Sequence, residues 1–364
     1  MERVCLSFLL SALVCPLFAE EKPEAPAGEA KLIEVAQSTD RMWNGVTVSK
    51  KGRIFAAYPT MLGPSIGVGE LQDGKLLRPY PGGGWNASEG PGESRFAGVN
   101  AVVSDAEDRL WVVDAGAGFN AGGEGSPAKL VCIDLATDTV KRVYRFDAAT
   151  VPKGAFTNDV RIGKGHAFLT DSGLGALIVL DLESGKAWRV LAEDKRLKAD
   201  PALELKVQGE NYVNAKGETP RMHVNPMELS PDEKFLYFQP SAGPRLYRIE
   251  VDRLIDPKSD EAALEGAVED CGPTRFTAGL TMTADGSLYY SDIGSGGITR
   301  RTPEGKFEPV VIDPRLVWPD ESHLGPDGYL YFPAAQVNRL PSNSPGGTSR
   351  VEFPFRMFKV KLPD

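Results

Sequence analysis

The chain has 364 residues with 41 Lys and Arg against 50 Asp and Glu, a formal net charge of −9 with no basic stripe, so the electrostatic footprint of a nucleic-acid binder is missing. Its 39 Gly and 28 Pro make it rich in turns, which favours many short strands over long helices and places it in the all-β class. Beyond the first residues no stretch reaches the ~18 consecutive apolar residues of a membrane-crossing helix, so no membrane span is expected in the mature chain.

The opening stretch "MERVCLSFLLSALVCPLFAEE" has Arg3 in a short charged region, an apolar core from Val4 to Val14 and the small residue Ala19. It predicts a signal peptide over residues 1–19 and export to the periplasm or the medium. Leu17 stands where a small residue is usual, and "ALVC" ending at Cys15 is a poor lipoprotein signal. Residues 20–30, "EEKPEAPAGEA" in the main, predict a disordered tether. Two of the four cysteines lie in the leader, leaving Cys132 and Cys271 as either a bridge or two separate thiols.

From residue 31 the chain repeats itself. "NGVTVSKKGRIFAAY" begins at Asn44, "NAVVSDAEDRLWVVDAG" at Asn100, "NDVRIGKGHAFLTDSG" at Asn158, "NPMELSPDEKFLYFQ" at Asn225, "AGLTMTADGSLYYSDIG" at Ala278 and "DESHLGPDGYLYFPAA" at Asp320. Each copy has a leading polar or small residue, an alternating apolar strand, a polar turn, and a strand rich in aromatic and β-branched residues. The intervals of 56, 58, 67, 53 and 42 residues suit four-stranded propeller blades. Hairpins such as "KLVCIDLATDTVKRVYRF" and "ALIVLDLESGKAWRVLAE" supply the outer strand pairs. After Asp320 the chain holds one further strand, "RMFKVKLP", so "KLIEVAQ" at residues 31–37 is expected to close the ring. The prediction is a six-bladed β-propeller over residues 31–364. A polar insertion at residues 192–221 is either a surface loop or a lid over the channel mouth.

In a propeller the first strand of each blade faces the central channel, so Asn44, Asn100, Asn158, Asn225, Ala278 and Asp320 form one ring. Four carboxamides and one carboxylate are oxygen ligands of the kind Ca²⁺ takes, and Asn100, Asn158, Asn225 and Asp320 are the candidate metal ligands. The competing explanation is turn capping by Asn and Asp at strand starts. One acidic position argues for weak binding, and Asp159 and Glu321 add charge only if the backbone bulges and turns them inward. Trp43, Phe156 and Trp318 stand just before ring positions and, with Asn44, form a candidate small-molecule pocket or ordinary blade packing. His223 is the best-placed histidine for a general base and Asp320 the second catalytic candidate; His323 falls inside a strand. Asp-x-Gly at Asp114, Asp171 and Asp292 reads as turn structure, and the Gly-rich stretches at residues 81–92 and 115–127 lack a phosphate-loop ending. No Ser-His-Asp order or zinc-ligand spacing is present.

The stretch "NDVRIGKGHAFLTDSGLGALIVLDLESGKAWRV" resembles a blade of the yellow and major royal jelly protein family. "RLWVVDAG", "HVNPMELSPDEKFLYF" and "VWPDESHLGPDGYLYFPAAQVNRL" extend the likeness over nearly all of residues 40–364. The resemblance implies a secreted six-bladed propeller, in some members binding small aromatic amines in the channel, and in some insect members a link to dopachrome conversion. A wider similarity reaches the gluconolactonase, paraoxonase and senescence marker propellers. In those the channel Ca²⁺ is held by a blade-one Glu, middle-blade Asn residues and a late Asp. Asn100, Asn158, Asn225 and Asp320 match the Asn and Asp positions, while Asn44 stands at the Glu position. The leading expectation is a propeller binding a small organic ligand at the channel mouth. The alternatives are a Ca²⁺-dependent lactonase-like hydrolase and a protein-interaction scaffold.

Overall fold

The computed structural model describes residues 30–63, 66–72, 76–87, 94–116 and 127–363. The expected leader, most of the tether, and residues 88–92 and 117–126 of the Gly-rich stretches lie outside the described residues. Strand β1 (Ile33–Ser38) comes first. Blade one follows as β2 (Gly45–Val48), β3 (Ile54–Ala57), β4 (Val68–Gln72) and β5 (Leu76–Pro79). Blade two is β6 (Val99–Ser104), β7 (Arg109–Asp114), β8 (Lys129–Asp134) and β9 (Thr139–Arg145). Blade three is β10 (Thr157–Gly163), β11 (His166–Asp171), β12 (Ala176–Asp181) and β13 (Ala187–Val190). The insertion then forms a small hairpin, β14 (Lys206–Val207) with β15 (Glu210–Asn211).

Blade four is β16 (Val224–Leu229), β17 (Phe235–Pro240), β18 (Arg245–Glu250) and β19 (Glu269–Pro273), with the short helices α1 (Val251–Leu254) and α2 (Glu261–Ala267) before its last strand. Blade five is β20 (Thr277–Met282), β21 (Leu288–Asp292), β22 (Gly297–Arg301) and β23 (Phe307–Ile312). Blade six is β24 (His323–Leu324), β25 (Tyr329–Ala334) and β26 (Phe355–Lys361), and β1 pairs antiparallel with β26 as its outer strand. The protein is therefore a six-bladed β-propeller closed by its N-terminal strand, as the repeat predicts.

Burial follows position within a blade. Inner strands lie between neighbouring blades, so both faces are covered and the sequence loses its alternation: every residue of β6 is buried. Outer strands meet water on one side and alternate, as "TVKRVYR" does in β9. The core is accordingly divided into interblade clusters. One joins blades one and two through Phe55, Val102 and Val112, and another joins blades three and four through Phe168, Met227 and Phe238. Burial of such apolar side chains stabilises the fold by ~1.5–3 kcal/mol each.

Two of the Asp-x-Gly corners, at Asp114 and Asp171, tie the second strand to the chain that leads into its blade, while Asp292 bonds Ser295 and Thr299 within its own hairpin. Asp171 Oδ1 accepts from the N–H groups of Phe156 (2.7 Å) and Gly173 (2.9 Å), and Asp114 accepts from Ala97, Gly98 and Gly116. Asp114 also holds Lys129 at 2.7 Å with both side chains buried. Cys132 in blade two and Cys271 in blade four are separate free thiols, and burial pushes the Cys132 thiol up to about 11.

Candidate functional site

The leading residues do converge on the channel, and three of the carboxamides bond to one another. Asn44 Nδ2 donates to Asn100 Oδ1 (3.2 Å), Asn100 Nδ2 to Asn158 Oδ1 (2.6 Å), and Asn158 Nδ2 to Ser172 Oγ (2.8 Å). The relay leaves Asn44 Oδ1 buried without a donor. Asn225 is half-buried, and its backbone carbonyl accepts the Thr170 hydroxyl (3.0 Å). Asp320 completes the ring, with Oδ1 accepting the Glu321 N–H (3.0 Å).

Ladder irregularities set the next level down. The register shifts at Val99/Ala101, Thr157/Val160, Val224/Met227 and Thr277/Leu280, so four inner strands bulge just after their leading residue. In blade three the bulge turns Asp159 inward, where it is 4% exposed. Glu321 is buried beside it, and the blades that carry glycine at this level make room. A Cβ on Gly45 would stand 2.7 Å from Glu321 Oε2, and one on Gly279 would stand 2.8 Å from the Asp320 carbonyl. Burial raises both Asp320 and Glu321 well above the usual carboxyl range, and the neighbouring Asp159 adds to each. Asp159 Oδ2 has no other donor, and a protonated Glu321 supplies one.

A second ring lies three residues beyond the first: Thr47, Val103, Arg161, Glu228, Thr281 and His323. Arg161 reaches across it. Its Nη1 meets Asp159 Oδ1 (2.7 Å), the Val160 carbonyl (2.8 Å) and Glu321 Oε1 (3.5 Å); Nε meets Glu228 Oε1 (3.1 Å); Nη2 meets the Leu280 carbonyl of blade five (3.2 Å). One guanidinium thus ties four blades together. Burial opposes its charge, but Asp159, Glu228 and Glu321 outweigh that and hold it protonated. Burial also raises Glu228, against the pull of Arg161. His323 accepts the Val48 N–H at Nδ1 (3.3 Å), and burial with the nearby Arg161 pushes it down to about 4, so it is neutral at physiological pH. Below this ring a cavity of about 300 Å³ opens between the turns that join first and second strands, lined by Arg161, Glu228, Glu321 and His323.

The sequence reading placed His323 inside a strand and passed over Arg161 and Glu228. Their signal was present: charged residues at inward-facing positions of "NDVRIG" and "NPMEL", in register with Thr47 and Thr281.

The opposite mouth is built differently. Trp43 is fully buried and donates Nε1–H to the Arg356 carbonyl (3.3 Å), Phe156 is 7% exposed, and Trp318 is 2% exposed. Trp318 packs edge-on against Tyr212 (4.9 Å) from the insertion and Phe276 (5.6 Å). The insertion crosses to blade five through Gln208 N–H to the Gly294 carbonyl (2.9 Å), and to the long loop of blade six through Ala215 N–H to the Ser342 carbonyl (3.1 Å). It buries Leu197, Leu205 and Val207, the last two in one cluster with Trp43 and Trp318. His223 sits under it, half-buried. Its Nδ1 accepts the Ala199 N–H (2.9 Å), which leaves the neutral ring's proton on Nε2, and burial with Lys198 lowers its pKa.

Among the described residues no group of three or more His, Cys, Asp and Glu side chains is arranged to hold a metal ion. The Asn ring is a different donor set. Two of its carboxamide oxygens already accept from neighbours, and Asn44 Oδ1 and Asp320 remain available to a cation.

Comparison with known proteins agrees with this architecture. A gluconolactonase of Xanthomonas campestris superposes with a TM-score of 0.54 over 92% of this chain and 91% of its own, at 14% identity, which speaks for the fold alone. Protein yellow of Drosophila subobscura is 28% identical over 234 residues, 61% of this chain and 40% of the relative. Major royal jelly protein 1 of Apis mellifera is 25% identical over 240 residues, 62% of this chain and 52% of the relative. The chain thus matches about half or less of these relatives' length. The family model described as major royal jelly protein matches residues 97–331, well over half of the chain, and the chain belongs to that family.

Proposed function

We propose that this protein is exported and binds a small organic cation, such as an aromatic amine, in its central channel. The observation that carries the reading is a charge imbalance: Asp159, Glu228 and Glu321 gather round a single guanidinium, Asp320 is buried within the field of Asp159, and His323 is neutral. Burial raises Glu228, Asp320 and Glu321 and so favours their protonated forms, and a bound ammonium would take the place of a proton at lower cost than an unpaired buried anion. Asn158 and Asn225 would add neutral acceptors. Trp43, Phe156 and Trp318 would back the ring rather than offer open faces. Export rests on the leader; among the described residues no helix is long and apolar enough to cross a membrane.

Calorimetric titration with tyramine tests this. Saturable binding that strengthens as pH rises and is lost in Asp320→Asn supports it; binding of equal strength in that variant, or none at all, rejects it.

The orphaned Asn44 Oδ1 favours one second reading, a Ca²⁺-dependent hydrolase of the lactonase type. Asn44, Asn100, Asn158, Asn225 and Asp320 would hold the ion, which supplies polarisation of a carbonyl. Asp320 or His223 would serve as base, His223 only through Nε2. Metal analysis of the purified protein decides it: about one Ca²⁺ per chain is required, and chelation must lower the melting temperature.

A further inference from the structure

A second built cavity, which shares no lining residue with the channel cavity, lies on the loop-rich face of blade six. It is a crevice of about 240 Å³ between the insertion hairpin and the loop at residues 335–354. Val207 and Val317 give it an apolar floor, and Gln208, Glu210, Asn338, Arg339, Arg350 and Glu352 its polar wall. A neighbouring cavity of about 210 Å³ shares Val317, Arg339 and Glu352 with it and adds Arg315 and Arg356. The two lie side by side across these shared residues, and each is slightly smaller than the ~300 Å³ at which small-molecule pockets begin.

Two features set this crevice apart from an ordinary loop junction. Asn338 is only 8% exposed, yet its side-chain Oδ1 is buried with no donor, an arrangement that is unfavourable unless something supplies one. Its backbone carbonyl, by contrast, accepts from Ser344 Oγ and from Arg350 Nη2, both at 3.3 Å. The backbone around the crevice is also held in the left-handed region at three non-glycine residues, Gln208 (φ 49°), Trp318 (φ 57°) and Gln336 (φ 53°). That conformation is disfavoured for a residue as bulky as Trp and persists only where the surroundings impose it.

Charge decides the class of occupant. In a chain of net charge −9, four arginines line the two cavities. The partners of the central two are weakly held: Arg339 meets Glu352 at 3.0 Å and Arg350 meets Glu210 at 3.2 Å, but these glutamates are 76% and 72% exposed. Exposed pairs of this kind contribute little in water, so a ligand anion can replace them. The Arg350 guanidinium is meanwhile held in place by Ser344 and the Asn338 carbonyl. Arginine suits a carboxylate, which it can grip with two parallel bonds. Asn338 Oδ1, Glu210 and Glu352 are acceptors and call for hydroxyl donors on the same molecule.

We infer that the blade-six crevice binds a polyhydroxy carboxylate of sugar-acid size, its carboxylate on Arg339 and Arg350 and its hydroxyls on Asn338 and the flanking glutamates. This site is independent of the channel and of the reading proposed for it.

Calorimetric titration of the full chain with glucuronate is the test. Saturable binding is expected, with glucose, which has the ring but no carboxylate, at least ~10-fold weaker because a charge-assisted bond is lost. Arg350→Gln and Arg339→Gln should each weaken glucuronate by a similar factor at an unchanged melting temperature. Asn338→Ser breaks no ion pair and gives the same readout should the arginine variants melt early. Saturating tyramine should leave glucuronate affinity unaltered. Absent saturation, equal binding of glucose, unaltered affinity in the variants, or displacement by tyramine each overturns the inference.

Discussion

The two rings of the channel are three residues apart and solve the same problem by different means. The upper ring is neutral over blades one to three: Asn44, Asn100 and Asn158 pass one hydrogen bond from blade to blade and end on Ser172. The lower ring is ionic, with Arg161 gathering carboxylates from blades three, four and six. A carboxamide chain satisfies itself locally and loses little when one end changes. The lower cluster is coupled through its one cation, so removing Arg161 reaches Asp159, Glu228 and Glu321 at once, and protonation is their only relief. The blades differ in step with this: those without a charge at the middle level carry Gly45, Ala101, Pro226 and Gly279, small or rigid residues that leave the space to Asp159 and Glu321.

The largest effect expected from breaking this contrast is at Arg161. Arg161→Met leaves Asp159, Glu228 and Glu321 facing one another without a cation and should cost ~3–5 kcal/mol at neutral pH, read from urea unfolding. The loss should shrink as pH falls and the carboxyls take up protons. A cost that stays constant between neutral and acid pH would show that Arg161 contributes by packing alone.

Next in size is the proton held by the carboxyls. Asp320 and Glu321 have folded-state pKa values above those of the unfolded chain, so the folded state binds more protons. By linkage, their contribution is fully present below the unfolded carboxyl pKa near ~4 and is lost as pH rises through the raised folded value. Glu321→Gln removes one such group. It should therefore be more stable than the parent protein above pH ~5, by about 1.4 kcal/mol for each unit of upward shift, and equal to it in stronger acid. Thermal melts across that range check the sign; a variant less stable at every pH would mean that the charged form of Glu321 supports the fold.

These differences also explain what could be read from the sequence. The blade count, the closing strand β1 and the upper ring were legible because the repeat places the same residue type, Asn, at the same point of four copies. Arg161, Glu228 and His323 occupy one register too, but each is different, so no single copy announces the ring. Asp159 and Glu321 turn inward through irregular backbone at the strand starts, and an alternation rule applied to a regular strand sends them outward. Trp43 and Trp318 were legible as large side chains near the mouth. Trp318 is packed by Tyr212 and Phe276, contacts made by the insertion and a neighbouring blade, and Trp43 by Tyr58 and the Arg356 carbonyl; repeat logic reaches neither set. The crevice at Asn338 lies wholly in non-repeating loops and had no counterpart from which to be inferred.

The smallest effects separate the two explanations of the upper ring. Asn100 sits in the middle of the relay, so Asn100→Ala strands the Asn44 amide and the Asn158 oxygen and should cost ~1–3 kcal/mol. Asn44 stands at its end. Asn44→Ala removes one donor and also an acceptor that has no partner, two changes of opposite sign, so it should cost less than ~1 kcal/mol in chelator. Adding Ca²⁺ then discriminates. If the carboxamides only join blades, the cost of Asn44→Ala is the same with and without the ion. If Asn44 Oδ1 is a ligand awaiting its cation, Ca²⁺ stabilises the parent protein but not Asn44→Ala, and the cost of that substitution grows when the ion is added.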